Sequence, residues 1–385
     1  IEFYILSFIS IVLQFIFLSI LKEFNEEFLK YIEITVLSQI IISILGSIQF
    51  YIESYKNQKI INIQKNFLYL FSIIIILISF FYIVQNFIFF LFFITALGSM
   101  ATMLLNTAYF ARFNLQRLNT YYVFILILLK TVALYIVYIY DLSFYYSIIL
   151  INIISMIGMF FFTVKFHLKK RGFSIISLLN NFLGTSLTTI DKLYCNKFLS
   201  NLSADYFIIF KISSFFQYLT EVIYRKERFE ITSGIKNINQ KNIFLKFITC
   251  FFFIGIVYLL IKKIFLLEQL FIQMNMELIY SLFVIIENYA LEFVIISLAF
   301  LINSISGLKY DYIYKNFSKN KLLYINLITL IIFIILIIFS KNILELCLSF
   351  ILVHVINFLL IGMYYVRIKK MINRYLILFL PLLFY

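Results

Sequence analysis

Ionisable side chains stand inside stretches of this chain that are otherwise apolar. Lys130 lies in YYVFILILLKTVALYIVYIY, Lys211 in YFIIFKISSFF, Glu287 and Glu292 in FVIIENYALEFVII, and His354 in ILVHVINFLL. A charge at the centre of a bilayer costs at least about 2.5 kcal/mol, so each such group asks for a protein, water or ligand partner. Lysines at that depth offer cations to a phosphate or to sugar hydroxyls. Carboxylates offer a coupling site for a proton or a metal cation. A lone histidine serves as a hydrogen-bonded core residue or as a proton relay.

Depth sorts these candidates. Lys130 stands far from either end of its run, about 12 Å deep at the 1.5 Å rise of a helix, and Lys211 about 7–8 Å below the outer end of its own. Glu292 is expected to be as deep as Lys130, with Glu287 nearer an outer end; a spacing of five on one helix sets them about 140° apart, which excludes a carboxylate dyad. Asp191 and Lys192, in TTIDKLYCNKF, fall at the end of an apolar run. There Lys192 is expected to snorkel to the headgroups and Asp191 to be solvated. Arg112 and Arg117, in ARFNLQRLN, read as orientation signals at a cytoplasmic mouth, or as cations that meet an anionic headgroup.

The elements that must position these groups follow from composition. Of 385 residues 64% are hydrophobic and 13% charged, and one is proline. Mean hydropathy is +1.03. Soluble domains are about half apolar and about a quarter charged. Apolar runs of membrane-crossing length recur from end to end. The chain is expected to be an all-α polytopic membrane protein of twelve spans, near 2–21, 31–52, 67–86, 88–110, 122–140, 144–164, 174–190, 206–224, 243–261, 279–306, 322–339 and 346–366. It opens IEFYIL without Met, as a fragment or a misassigned start would, and its first run reads as a span rather than a cleaved signal. The closing YLILFLPLLFY is too short to cross and reads as an interfacial tail or the start of a further span.

Basic residues set the orientation. With the N-terminus inside, most of the 32 Lys and Arg residues fall on cytoplasmic segments, and only Lys22, Lys30, Lys192, Lys197, Lys262, Lys263 and Lys341 fall outside. Both termini are then cytoplasmic. The net charge of +14 is an orientation signal and an anchor to anionic lipid rather than a nucleic-acid footprint. The basic segment KFHLKKRGF divides the chain into two bundles of six spans, 1–168 and 169–385 with a short C-terminal tail. Two such bundles are a common transporter plan with a site between them.

Soluble catalytic chemistry is missing. There is no GxSxG, HExxH or P-loop, and Cys195, Cys250 and Cys347 are scattered without metal or disulfide spacing. No catalytic residue, metal or cofactor is expected, and the chain does not read as an enzyme. Glycines stand singly, which suggests close helix packing. Gly184 with the following TSLTT is the best candidate for a bend.

One stretch carries a family resemblance. TTIDKLYCNKFLSNLSADYFIIFKI has a span ending in Asp191-Lys192, a turn at Phe198-Leu199-Ser200, a helix start at Ala204-Asp205-Tyr206, and a basic residue at Lys211. In this it resembles Wzx-type polysaccharide flippases of the multidrug/oligosaccharidyl-lipid/polysaccharide exporter superfamily. Asp205 stands where that family commonly has glycine. The resemblance implies a V-shaped, MATE-like arrangement of two six-helix bundles. It also implies a carrier that moves undecaprenyl-diphosphate-linked oligosaccharide across the bacterial inner membrane for O-antigen or capsule assembly. Lys130, Lys211, Arg112 and Arg117 would be cavity cations, and Asp191, Glu287, Glu292 and His354 gating or ion-coupling groups. Partners would be the lipid-linked oligosaccharide, membrane lipids, a polysaccharide polymerase and a chain-length regulator. Coupling to protons, sodium or the membrane potential stays open. Three rivals remain: a drug or cation antiporter of the same superfamily, which needs a deep acidic group; an integral-membrane polymerase or glycosyltransferase, which needs a large outer loop; and a structural or scaffold membrane protein, which leaves the deep lysines unexplained.

Overall fold

The computed structural model describes residues 2–24, 27–36, 38–39, 61–62, 91, 94–95, 98, 116–161, 165–166, 175–214, 216, 240–261, 263, 277–316 and 319–379. The expected span 67–86 and most of 88–110 lie outside the described residues, as does Arg112. What is described is helical, apart from turns and a two-residue antiparallel pair in which Ile61–Asn62 (β1) faces Lys165–Phe166 (β2). Helices dominate because a backbone in hydrocarbon must satisfy its own amides and carbonyls, and a chain almost free of proline can do so over long runs.

Ten helices have defined bounds: α1 Glu2–Lys22, α2 Gln116–Ile139, α3 Phe144–Phe161, α4 Ile175–Ser186, α5 Ile190–Phe198, α6 Gln240–Ile261, α7 Glu277–Asn288, α8 Ala290–Asn316, α9 Lys319–Phe339 and α10 Ile343–Phe379. Residues 27–36 and 200–214 are helical as well. Within α8, α9 and α10, the segments Ala290–Tyr310, Asn320–Phe339 and Ile343–Val366 are long and apolar enough to cross a membrane. On α9, Ile328, Ile331, Ile335 and Ile338 are exposed, an apolar stripe suited to lipid.

The chain forms two compact units, residues 1–212 with 259–290, and residues 213–258 with 291–385. These are not the halves 1–168 and 169–385 expected from span order. The difference arises because α7 packs back on α1, while α1 also lies along α2 and α2 along α3.

In the first unit, Thr131 of α2 donates to the carbonyl of Leu13 on α1 (3.4 Å) as well as to that of Ile127 in its own helix (2.9 Å). Between α2 and α3 the chain turns at Asp141, whose φ of 49° lies in the left-handed region that aspartate tolerates better than most residues. The first amide of α3, Phe144 N, donates to Glu27 Oε2 at 3.1 Å. In the second unit, Phe300 of α8 and Phe333 of α9 both pack on Phe350 of α10 (5.6 and 6.2 Å between centroids).

Three expectations about elements are corrected. The seventh span is not one helix: α4 ends at Ser186, residues 187–189 turn, and α5 starts at Ile190. The tenth span is interrupted too, with Tyr289 between α7 and α8. The closing YLILFLPLLFY, of which residues 380–385 lie outside the described residues, does not begin as a separate piece: residues 375–379 continue α10, which runs unbroken for 37 residues. That is about 55 Å, well beyond a ~30 Å hydrocarbon core.

Candidate functional site

The break after α4 is built from hydroxyl side chains. Ser186 Oγ donates to the Phe182 carbonyl (2.8 Å), while Thr188 Oγ1 and Thr189 Oγ1 both donate to that of Thr185 (2.9 Å each). Backbone bonding tightens at the same place. Thr188 N reaches Thr185 O at 2.9 Å, Thr189 N reaches Ser186 O at 3.3 Å, and Lys192 N reaches Thr189 O at 3.2 Å. These are i to i−3 bonds, the pattern of a 3₁₀ turn. The helix is thus interrupted beside Gly184, and the interruption falls on the hydroxyl residues after the glycine.

The tightened turn redirects one carbonyl. In a regular helix Thr188 O would accept the amide of Lys192, but that amide has gone to Thr189 O. Thr188 O instead accepts the Lys192 ammonium. Lys192 Nζ also donates to Asp191 Oδ1 at 3.2 Å and lies 3.1 Å from the centroid of the Phe210 ring. Tyr206 donates its hydroxyl to Asp191 Oδ2. Asp191 is 0% exposed and Lys192 3%.

This overturns two expectations. Lys192 does not snorkel and Asp191 is not solvated. The break turns both side chains inward, where each has a charged partner and a further polar contact, as a buried ion pair requires. Lys192, Tyr206 and Phe210 stand outside the expected set of site residues. The available signal was the run of hydroxyl residues directly ahead of an Asp-Lys pair, with a tyrosine fifteen residues after the aspartate.

Lys211, an expected cavity cation, belongs to the same neighbourhood. It follows Phe210, whose ring faces the Lys192 ammonium. It is half-buried, with Nζ 5.3 Å from the centroid of Phe207. Phe207 in turn packs edge-on against Phe28 at 5.7 Å. Helix α5 is tied in by Asn196, which donates to the Leu29 carbonyl (3.4 Å) and accepts from Ser203 Oγ (3.2 Å).

The remaining candidates lie elsewhere. Lys130 is half-buried in the middle of α2, between buried Thr131 and exposed Leu129. No carboxylate pairs with it among the described residues. Arg117 lies in the first turn of α2, and its side chain is outside the described set. Glu287 and Glu292 are half-buried on different helices, on either side of Tyr289. Glu292 is thus not deep within a continuous span. It stands in the first turn of α8, where the helix dipole favours a carboxylate. His354, 2% exposed, packs edge-on against Phe350 with centroids 4.5 Å apart, within the aromatic core of the second unit.

Among glycines, the expected close packing holds at Gly98 but not at Gly184, Gly255 or Gly307, each of which has open space where a Cβ would stand.

No family model and no curated protein matches the chain. A solved structure described as the outward-facing conformation of a multidrug resistance MATE family transporter of the MOP superfamily is similar over 95% of this chain and 86% of that one, at 12% identity and a TM-score of 0.38. A likeness that slight carries nothing about activity across to this chain.

Proposed function

We propose that this chain is a membrane transporter that carries an amphiphilic anion, a lipid-linked oligosaccharide bearing a diphosphate, from the inner to the outer leaflet of a bacterial inner membrane. The observation that carries the reading is the cluster at the break after α4. It buries an ammonium, Lys192, against a carboxylate, Asp191, within a membrane protein, with Lys211 on the 200–214 helix that supplies Tyr206 and Phe210 to the pair. Discontinuous helices are where many transporters build their substrate and ion sites, since interrupted backbone is tolerated at membrane depth only where protein or a water-lined cavity surrounds it.

The division of labour follows from the partners. Asp191 holds Lys192, so Lys192 preserves the break. Lys211, half-buried on the 200–214 helix, is the cation proposed to meet phosphate oxygens. Lys130 is the second such cation. In this reading both termini are cytoplasmic, and a polymerase and a chain-length regulator act on the glycan after it crosses.

A glycan-dependent bacterial strain tests this. With Lys211→Ala or Lys130→Ala at normal protein level, surface glycan is expected to disappear while lipid-linked oligosaccharide accumulates on the inner leaflet. Intact glycan with either variant removes that residue from the role. The buried carboxylate of Asp191 also favours a second reading, a cation or drug antiporter, because such a carrier needs an enclosed acidic group. Drug resistance conferred by the chain, with no effect on glycan, selects that reading.

A further inference from the structure

Three different acceptors meet the Lys192 ammonium. Its Nζ lies 3.2 Å from Asp191 Oδ1 and 3.1 Å from the centroid of the Phe210 ring, and it donates to the Thr188 carbonyl. An ammonium has three N–H donors and no acceptor, so one carboxylate, one ring face and one carbonyl use all three. The ring stands where a hard metal cation would want another oxygen, which suits an ammonium better. Each acceptor is placed by groups other than Lys192. Thr188 is held to Thr185 O through both its amide and its hydroxyl, at 2.9 Å each. Asp191 is held through Oδ2 by the Tyr206 hydroxyl. Phe210 is buried and packs on the Tyr206 ring with centroids 6.2 Å apart.

We propose that the break after α4 is a receptacle for a primary ammonium, filled in this chain by its own Lys192, and that it keeps affinity for a free alkylammonium once that side chain is cut back. Lys192 is then a tethered ligand rather than part of the wall. Asp191 is neutralised from within the chain, so the break needs no free cation to hold its shape. A cationic cargo or coupling ion reaches Asp191 only after Lys192 leaves. This goes beyond the transport reading, and its test needs no transported substrate.

Cys195 supplies the reporter. It is a free thiol on α5, one turn after Asp191, and is 0% exposed. In the full chain with Cys250→Ser and Cys347→Ser, labelling of Cys195 by a small membrane-permeant maleimide at neutral pH measures opening of α5. Lys192→Ala removes a propylammonium group beyond Cβ, so n-propylammonium is the probe. The substitution strands a buried carboxylate and is expected to speed labelling about tenfold or more. Adding ~20 mM n-propylammonium is expected to slow it again about threefold, as a ligand with a dissociation constant of ~10 mM would. n-Propanol has the shape without the charge, and tetramethylammonium has the charge without N–H donors; both are expected to leave the rate unchanged. Propylammonium is also expected to have no effect on the parent chain, where Lys192 fills the site, or on Lys192→Ala combined with Asp191→Asn.

Failure of propylammonium to slow labelling in Lys192→Ala overturns the receptacle. So does equal slowing by propanol or tetramethylammonium, or slowing that persists in the parent chain or the double variant. Should Lys192→Ala fail to yield monodisperse protein, progressively fluorinated phenylalanine at position 210 replaces it, with Lys192 in place. Fluorine draws electron density from the ring face at nearly constant shape, so labelling is expected to quicken stepwise as the ring loses its hold on the ammonium. A rate that ignores fluorination refutes the proposal.

Discussion

Asp191 and Lys192 are adjacent in sequence, 3.2 Å apart between carboxylate and ammonium, and both buried from the surroundings. Removing one partner strands the other's charge in the interior, which typically costs about 3–5 kcal/mol, whereas removing both is far less damaging. Lys192→Met is therefore expected to lower the unfolding temperature of the purified protein sharply. The double variant Asp191→Asn with Lys192→Met is expected to recover most of the loss. If the double variant is no better than the single one, the pair is not what stabilises the break.

Gly98 presents its backbone to Asn152 of α3. A Cβ added there would stand 3.0 Å from the Cα and Cβ of Asn152, and closer still to its side-chain oxygen. Real Cβ contacts of that kind force one backbone away from the other. Asn152 has little freedom to yield, because its Nδ2 donates to Ile148 O (2.7 Å) and to Thr95 Oγ1 (3.3 Å). Gly98→Ala is thus expected to destabilise the protein by about 1–3 kcal/mol, the usual range for overpacking. Gly184→Ala, with open space around it, is expected to lose none of that. Thermal unfolding of the two variants side by side separates packing from a general intolerance of alanine.

Much of this was legible in advance, and the reasons differ from residue to residue. The starts and ends of α1, α6 and α9 fall close to the apolar runs that predicted them, because nothing but the length of the run decides them. The break at 187–189 was visible as a cluster of hydroxyl residues. Its consequence was not, since Asp191 and Lys192 pair through a redirected carbonyl that no spacing rule contains. The interruption at Tyr289 was hidden because the apolar pattern runs through it without a glycine or proline. Lys211 stands out in the sequence by its depth in an apolar run. Tyr206 and Phe210 could not, because aromatic residues make up 20% of the chain and none stands out by type.

The N-terminus of α10 carries a reciprocal cap. Glu345 N donates to Asn342 Oδ1 (2.8 Å), and the Glu345 carboxylate accepts from Lys341 N (2.6 Å) and Asn342 Nδ2 (3.1 Å). This satisfies amides that the first turn of a helix leaves without carbonyls. Asn342→Ala is expected to cost about 1 kcal/mol, and glycan export or drug efflux should be untouched. Asn342→Asp keeps the capping oxygen but sets a second carboxylate beside Glu345, so its loss should grow as salt is lowered. A salt-independent loss would show that charge repulsion is not its cause.

Asp205, one residue ahead of the eighth expected span, ties stability to pH in the opposite sense from an ordinary ion-paired carboxylate. Burial raises its pKa above the usual aspartate value, and this outweighs Lys22 and the Tyr289 hydrogen bond, both of which lower it. A carboxyl whose folded pKa exceeds its unfolded one, about 3.9, binds its proton more tightly in the native state. Its contribution is fully present below the unfolded pKa and is lost as pH rises through the folded one. Asp205→Asn should therefore flatten that decline in unfolding temperature on titration upward from about pH 4. The variant should equal or exceed the wild type at neutral pH. A wild-type slope in the variant would show that another group carries the proton.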